Sequence, residues 1–526
     1  MIETVRVFSS RVLPRLVVLC GTLALGACTT LGPDYREPEV DWLKQWQPTS
    51  PLPAQAGNEA DLEFWGELLD DPVLKRLVEV AREDSPTLRI AGLRILESRA
   101  LLGIAGSSLY PQVQTVTGAV AYVNSRQSGG ALGDSSDSLV SYQAGFNLGW
   151  ELDFWGKFKR GIESADAAFF ASVANQQDVQ VLLTAQVADL YYAYRTTQLR
   201  IGIAKDNAKI QKRSFEITER LYSSGSNSEL DVQQAKTQYL STLSAIPQLE
   251  ITLTQVRNAL GVLLGRPPGD LPELADRYDR LPNIDSAAVA SIPASLLLRR
   301  PDIRVAAWQV AAQSAQIGLA EADFYPSISL LGTIGWSGSS LNGSPDVGTL
   351  GLGPALSWNV FDYGRITNNV RVQDARLQQL IEGYQQSVLQ AAREIDDAMV
   401  SIVKTDEQRQ ILGESVKASR RSLELANSRY REGYADFQRV LDAQRASATQ
   451  DERNLVNQGS HVSAVIALYK ALGGGWSDTP VEQWVPGDVR ETMQQRTDWG
   501  ELLTAPLPEG SASTESPPTS KASMHE

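Results

Sequence analysis

Three features of the sequence predict an α+β membrane protein written as two copies of one unit. They are strands of strict two-residue alternation, Pro-free helical stretches of exceptional length, and a long segment that recurs at a near-constant offset. In "LVSYQAGFNLGWELDFWGKFKR", residues 139–160, every even position from Val140 to Phe154 is apolar or Ala, and every odd one is small, polar or charged. A period of two is a strand. This one exceeds the usual five to six residues or so and has an apolar face on one side and a polar one on the other.

Reading from the N-terminus, Arg6, Arg11 and Arg15 precede an apolar run from Leu16 to Leu25 and then "LGAC" at 25–28. This is the form of a secretory signal peptide over 1–27. Leu25, Gly26 and Ala27 directly before Cys28 resemble the lipobox of bacterial lipoproteins, which predicts lipid on Cys28 and a chain that begins there. Thr29, rather than Asp, follows, which favours the outer membrane. Removal of 1–27 takes away three Arg and one Glu, so the net charge falls from -14 to -16, and leaves Cys28 as the sole cysteine. No intrachain disulfide can then form. No later stretch approaches about 18 consecutive apolar residues, so no transmembrane helix is expected.

Residues 28–80 are assigned to a lipidated N-terminal and equatorial segment. "SPTLRIAGLRILESRALLGIAGSSLYPQV" (85–113) then matches "RPDIRVAAWQVAAQSAQIGLAEADFYPSI" (300–328) at an offset of about 215, with Tyr110-Pro111 on Tyr325-Pro326. Further on the offset is about 208, placing Trp150 on Trp358, Gly156-Lys157 on Gly364-Arg365, and Tyr222 and Gly225 on Tyr430 and Gly433. The units are 81–270 and 299–475, joined by a linker at 271–298. Each reads as a helix, Tyr-Pro, a strand, a Gly/Ser-rich loop, a second strand, Gly with a basic residue, and long helices. Strands are expected at 113–123, 139–154, 327–336 and 349–361, inside hairpins at 111–154 and 326–361, of a length that fits a membrane-spanning strand.

No Pro lies between Pro111 and Pro247 or between Pro354 and Pro480, so nothing forces a break in either helical stretch. Phe158–Tyr222 as helix would span about 100 Å at 1.5 Å per residue. Ile203, Ile210 and Ile217 lie seven apart and Ile411, Ala418 and Leu425 repeat them, which predicts a narrow coiled-coil seam. Gly225 and Gly433 mark turns, from which the chain returns along 230–265 and 436–472. Residues 476–505 form a C-terminal equatorial segment, and 506–526 are a disordered tail by composition.

Four strands cannot close a barrel in lipid, where about eight is the smallest size and open edges are not viable. Copies of the chain must complete it. Two would give eight strands and a filled interior, and three would give twelve and a water-filled bore.

Several function classes are poorly supplied. A charge of -14 with no basic cluster argues against nucleic acid as partner. His461 and His525 are the only histidines, so no metal or cofactor is expected and His-based catalysis has one foothold, His461 as part of a lipid-anchored hydrolase. Packing or surface is the better reading of that residue. Gly156-Lys157 suggests a phosphate loop, but Glu151 stands where the first Gly belongs and Phe158 where Ser or Thr should follow. A non-channel periplasmic coiled-coil lipoprotein would explain the helices and leave the strands unexplained.

The lipobox, "LGPDYREPEV", "FWGELLDDPVL" (64–74), the paired Tyr-Pro strands, "WELDFWGK" beside "WNVFDYGR", and "RYREGYADFQRVLDAQR" (429–445) resemble the outer membrane factor family of TolC-like efflux channels, in its lipoprotein branch of OprM or NodT type. The resemblance covers about 28–475. It implies a homotrimer with a twelve-stranded outer-membrane β-barrel, four strands per chain, continuous with a long periplasmic α-helical barrel. It also implies a periplasmic adaptor protein and an inner-membrane transporter of RND type as partners, with no enzyme activity in this chain and small toxic compounds or drugs as cargo. Export of polypeptides in a type I system is the alternative. The family's periplasmic gate falls on "GSNSELDVQQA" (225–235) and "GYADFQRVLDAQR" (433–445). There Asp442 matches a pore-constricting Asp, Arg445 is placed among restraining polar contacts, and Asp231 is placed to bond Tyr430 on the neighbouring hairpin. Arg439 stands where some members carry a second pore-facing Asp, and packing around Phe437 and Val440 is the other means of closure. Ordinary i, i+3 pairing of Asp442 with Arg445 and Arg439 is the bland reading.

Overall fold

The computed structural model describes residues 30–45, 69, 71–127, 135–276, 278–284, 294–339, 347–478, 480 and 483–506. Cys28, the signal peptide and most of the C-terminal tail lie outside them. After a short N-terminal segment come α1 (Pro72–Asp84) and α2 (Pro86–Ser107), strands β1 (Val113–Gln127) and β2 (Ser135–Leu152), and helices α3 (Lys157–Ser223) and α4 (Glu229–Leu263). A second series follows: α5 (Pro301–Glu321), β3 (Ser327–Gly338), β4 (Val347–Ser357), α6 (Arg365–Arg431) and α7 (Phe437–Ala471), with α8 (Gly487–Arg496) last. The order α2-β1-β2-α3-α4 is that of α5-β3-β4-α6-α7. The long helices match in length, 67 residues for α3 and α6 and 35 for α4 and α7.

The strands form one antiparallel sheet in the order β1-β2-β3-β4. Its ladder departs from the expected bounds in two ways. Asn124–Gln127 pair with Ser138–Ser135, extending the first hairpin into the polar stretch expected to be loop, because ladder bonds are made by backbone whatever the side chain. At the other end β2 stops at Leu152 and β4 at Ser357, since the chain must turn there into a helix. Gly156 and Gly364 take left-handed φ of 69° and 86° at the two turns. A carboxylate then meets the free N–H groups of each helix start. Asp153 accepts from Phe158 and Lys159 N–H at 3.1 and 2.9 Å, and Asp362 accepts from Ile366 N–H at 2.7 Å.

Equivalent tryptophans tie the strands to the helices before them. Trp150 Nε1 donates to Leu109 O at 3.1 Å and Trp358 Nε1 to Phe324 O at 2.9 Å. The largest core lies midway along the long helices, where Leu77, Val187, Tyr191, Leu260, Ile303, Val388, Ile395 and Val465 pack together. Asp71 in the "DDP" run caps α1 through Val73 and Leu74 N–H at 3.0 and 3.2 Å, while its other oxygen accepts from Tyr191 Oη at 2.8 Å. The described residues after Gly474 bond to α2 and α3. Buried Arg99 donates to Leu502 O and Pro506 O, and Gln177 Nε2 donates to Asp478.

The N-terminal segment is held at the foot of the sheet. Leu31 N–H donates to Trp155 O, and the buried Arg160 guanidinium grips Leu31 O, Gly32 O and Asp34 at 2.8 to 3.1 Å. Gly32, at φ 84°, lies so close to Gly318 that a Cβ there would sit 2.3 Å from its Cα. Only Gly fits such an approach.

Candidate functional site

Two surfaces are candidates: the faces of the sheet and the far tips of the helical hairpins. In the sheet, antiparallel register decides what each face carries. Val116, Phe146, Ile334 and Leu350 stand opposite one another in one row across all four strands. Leu148, Leu352, Trp150, Leu330, Leu152, Ile328 and Leu356 share that face, so every strand contributes its even-numbered residues to it. The next row over is Thr115, Asn147, Thr333 and Gly351. There Thr333 Oγ1 donates to Asn147 Oδ1 at 3.2 Å. From Val116–Tyr122 across to Leu350–Leu356 one face is therefore mainly apolar, and the other is mostly small and polar apart from Val113, Leu331 and Val347, over an area no single strand can specify. The sheet is open, and β1 and β4 are its edges.

The tips are tight turns. Gly225 and Gly433 have φ of 73° and 78°, and each follows a helix whose last carbonyls are capped by the turn. Side chains then bind the α3–α4 hairpin to the α6–α7 hairpin within one chain. Asn227 Nδ2 donates to Tyr430 Oη at 3.1 Å, Arg445 Nε to Gln238 Oε1 at 2.7 Å, and Gln444 Nε2 to Ser214 Oγ at 2.8 Å. Phe437, 4% exposed, packs with Ala235, Val440 and Leu441, and its ring lies 5.4 Å from that of Tyr430. Burial and the nearby Asp231 charge push the Tyr430 hydroxyl up, against the Asn227 hydrogen bond.

The residues singled out by resemblance occupy this tip unequally. Arg445 does join a polar contact between hairpins. Asp442 is exposed and meets Gln438 Nε2 at 3.0 Å and Arg445 at 3.7 Å on its own helix. The bond from Asp231 to Tyr430 is not formed within the chain, because Asn227 takes the hydroxyl and Asp231 acts on it through space. Arg439 is exposed. Asn227, Gln238, Gln444 and Ser214 were missed because they carry no charge. Their proximity to the two glycine turns, at matching distances along paired hairpins, is the signal that would have found them.

The enzyme footholds resolve as packing. His461 is buried, with Nδ1 at 2.8 Å from Thr405 Oγ1 and Nε2 at 3.2 Å from Ile284 O. Lys157 forms an ion pair with Asp323 at 2.9 Å and so ties α3 to the start of β3. The heptad seam differs from the face the chain packs. Ala208, Gln211 and Thr218 are buried, whereas Ile210 is exposed and Ile411 is 70% exposed. The seam is thus covered in part in a single chain: Ile203 packs against the main core and Ile217 is half-buried, while Ile210, Ile411, Ala418 and Leu425 are exposed. Among the described residues no helix is long and apolar enough to cross a membrane.

This architecture has relatives. The solved outer-membrane channel OprN is 32% identical, with a TM-score of 0.74 over 85% of this chain and 99% of its own. The pyoverdine export outer membrane protein OpmQ of Pseudomonas putida is 31% identical over 477 residues, 89% of this chain and 99% of its own. The solvent efflux pump outer membrane protein SrpC of Pseudomonas putida is 32% identical over 468 residues, 86% and 97% of the two chains. The outer membrane efflux protein family matches residues 77–266 and 292–474, one stretch in each half of the fold, and the chain belongs to that family.

Proposed function

We propose that three copies of this chain form the exit channel of a tripartite efflux pump in the outer membrane of a Gram-negative bacterium. The chain is an outer-membrane efflux protein by family, and the trimer, the partners and the cargo are our reading. The observation that carries it is the sheet: one face mainly apolar, one mostly small and polar, with two open edges that lipid does not tolerate. Three such sheets supply twelve strands, with even-numbered residues toward lipid and odd-numbered ones toward a water-filled bore. The helices below, about 100 Å long, line a periplasmic duct, and the uncovered seam of Ile210 and Ile411 packs against neighbouring chains.

The duct's energy comes from an inner-membrane transporter of RND type linked by a periplasmic adaptor, partners that belong to this reading of the channel. Small toxic compounds are the cargo class, as relatives of equal similarity serve pyoverdine and solvent. Lipid on Cys28 anchors the assembly. Thr30 packs against the Gly156 turn at the foot of the sheet, which supports an anchor on that side of the barrel. Intact mass should show a chain beginning at an acylated Cys28, and a free thiol there would contradict it. Native mass spectrometry in detergent should show three chains, with ion conductance in planar bilayers. A stably folded monomer with no conductance would overturn the channel reading.

A further inference from the structure

Within the sheet the two halves of the chain meet at the β2–β3 boundary, and the structure shows how. Beside the ladder, Trp155 stacks on Tyr325 with ring centres 4.7 Å apart, and its Nε1 donates to Pro326 O at 2.9 Å. Thus the aromatic residue before the helix-starting Gly of one half covers the Tyr-Pro pair of the other. The same chemistry stands unpaired at the outer edges. Tyr363 precedes Gly364 as Trp155 precedes Gly156, and Tyr110-Pro111 corresponds to Tyr325-Pro326. Tyr363 is 102% exposed and Tyr110 70% exposed. Tyr363 is also the one described non-glycine residue with positive φ, 54°, a strained backbone that projects its ring from the surface.

We propose that the junction between subunits repeats the junction within the chain, with Tyr363 of one subunit stacked on Tyr110 of the next and β4 paired to β1 in a register that can be named. The hairpins supply the translation. Val113 opposes Gly149 in the first and Ser327 opposes Ser357 in the second, so with β2 on β4 at 208 the ladder maps β1 onto β3 by 214 residues, one fewer than the 215 that separates Tyr110 from Tyr325. Carrying the observed pair Asn147↔Thr333 across by those shifts sets Ala355 opposite Ala119 of the next subunit. Trp150↔Leu330 likewise becomes Trp358 opposite Val116.

Two internal checks support this register. It aligns even residues with even ones, so Leu352 meets Tyr122, Pro354 meets Val120 and Trp358 meets Val116 on the apolar face, while Leu350 meets Asn124 toward the loop end. It also places all of β4, 347–357, within the span of β1, from 127 back to 117. One element is not repeated: the counterparts of the Lys157–Asp323 ion pair are Arg365 and Ser108, so the junction relies on the ladder and the aromatic stack.

The inference rests on the trimeric channel, and its test separates the two. Ala119→Cys is combined in turn with Gly351→Cys, Gly353→Cys, Ala355→Cys and Ser357→Cys, and the assembled protein is oxidised in isolated outer membranes. Directly opposed residues lie about 4.5–5.5 Å apart between Cα atoms, within disulfide range, and diagonal ones about 7–8 Å. Covalent dimers and trimers on denaturing gels should peak at Ala355→Cys, at least fivefold above the other partners. A peak elsewhere, with the trimer present by native mass, overturns the register and leaves the channel standing. Loss of the trimer in all variants and in the parent would instead strike the channel reading itself. Tyr363→Ala should lower the temperature at which the trimer dissociates in detergent, and Tyr363→Trp should restore it. Equal dissociation temperatures for Tyr363→Ala, Tyr110→Ala and wild type would remove the aromatic stack from the proposal.

Discussion

Asp178 shows how much a single side chain in the equatorial core is held against its own preference. It lies on α3 facing Asp302 and Arg300 at the start of α5, Glu394 on α6 and Lys470 on α7, and its pKa is pushed up to about 6, first by burial, then by the Asp302 charge, with Arg300 and Lys470 opposing. The folded state therefore holds this proton more tightly than the unfolded one. Its contribution is fully present below the ordinary carboxyl value and is lost as pH rises through about 6. Asp178→Asn should raise the thermal midpoint at pH 7.5 by a few degrees and change little at pH 4. A variant no more stable than wild type at pH 7.5 would show that the cluster accommodates the charge. None of this was legible in the sequence, because "QQDVQV" gives no sign that Asp178 faces three other acidic or basic helices. Asp71 was closer to legible, since Asp before Pro at the head of an apolar-periodic run is a helix-start signal, although its second bond to Tyr191 came only from the fold.

At the scale of elements the sequence was most readable where period and punctuation agreed. Alternation located all four strands, and the glycines at 225 and 433 located both turns, because each of those signals is local. The ends of strands differ from the alternation where backbone pairing continues through polar residues, as at Asn124–Gln127, or where the chain turns into a helix although apolar residues continue, as at Val360 and Phe361, which are exposed. The heptad seam does not coincide with the stripe the chain packs, since the chain buries Ala208, Gln211 and Thr218 against itself and leaves Ile210 and Ile411 outside. Which stripe meets which neighbour depends on assembly, and no single helix encodes it. The turn at Gly433 offers a direct probe. Its φ is 78° and nothing lies within 4 Å of an added Cβ, so Gly433→Ala costs backbone strain alone, about 1 kcal/mol. Hydrogen exchange over 429–441 should quicken about fivefold, with the global thermal midpoint unchanged. Unaltered exchange at the tip would mean that the neighbouring hairpins, not this turn, set its stability.

On the scale of the whole molecule, the proposed channel raises the question of what would close it at the hairpin tips, and the single chain narrows it. Asn227 with Tyr430, Arg445 with Gln238, Gln444 with Ser214 and the cluster around Phe437 bind the two hairpins of one chain to each other. Asp442 and Asp231 accept no hydrogen bond across that boundary. Within a chain Asp442 amounts to an i, i+3 pair worth about 0.2–0.5 kcal/mol, too little to gate a pore. Any larger effect of these carboxylates must come from contacts between chains, where three exposed copies of Asp442 and of Arg439 converge if the tips close on an axis. Replacing Asp442 and Asp231 together with Ala should therefore leave the intrachain packing intact while raising single-channel conductance and admitting large antibiotics to cells that express the variant. Phe437→Ala is the contrasting variant, since it removes a buried ring at a cost of about 3–5 kcal/mol and loosens the hairpins within each chain. If the double variant conducts like wild type in an intact trimer and Phe437→Ala alone raises conductance, closure rests on the apolar packing of Phe437 and Val440 and the carboxylates have no part in it.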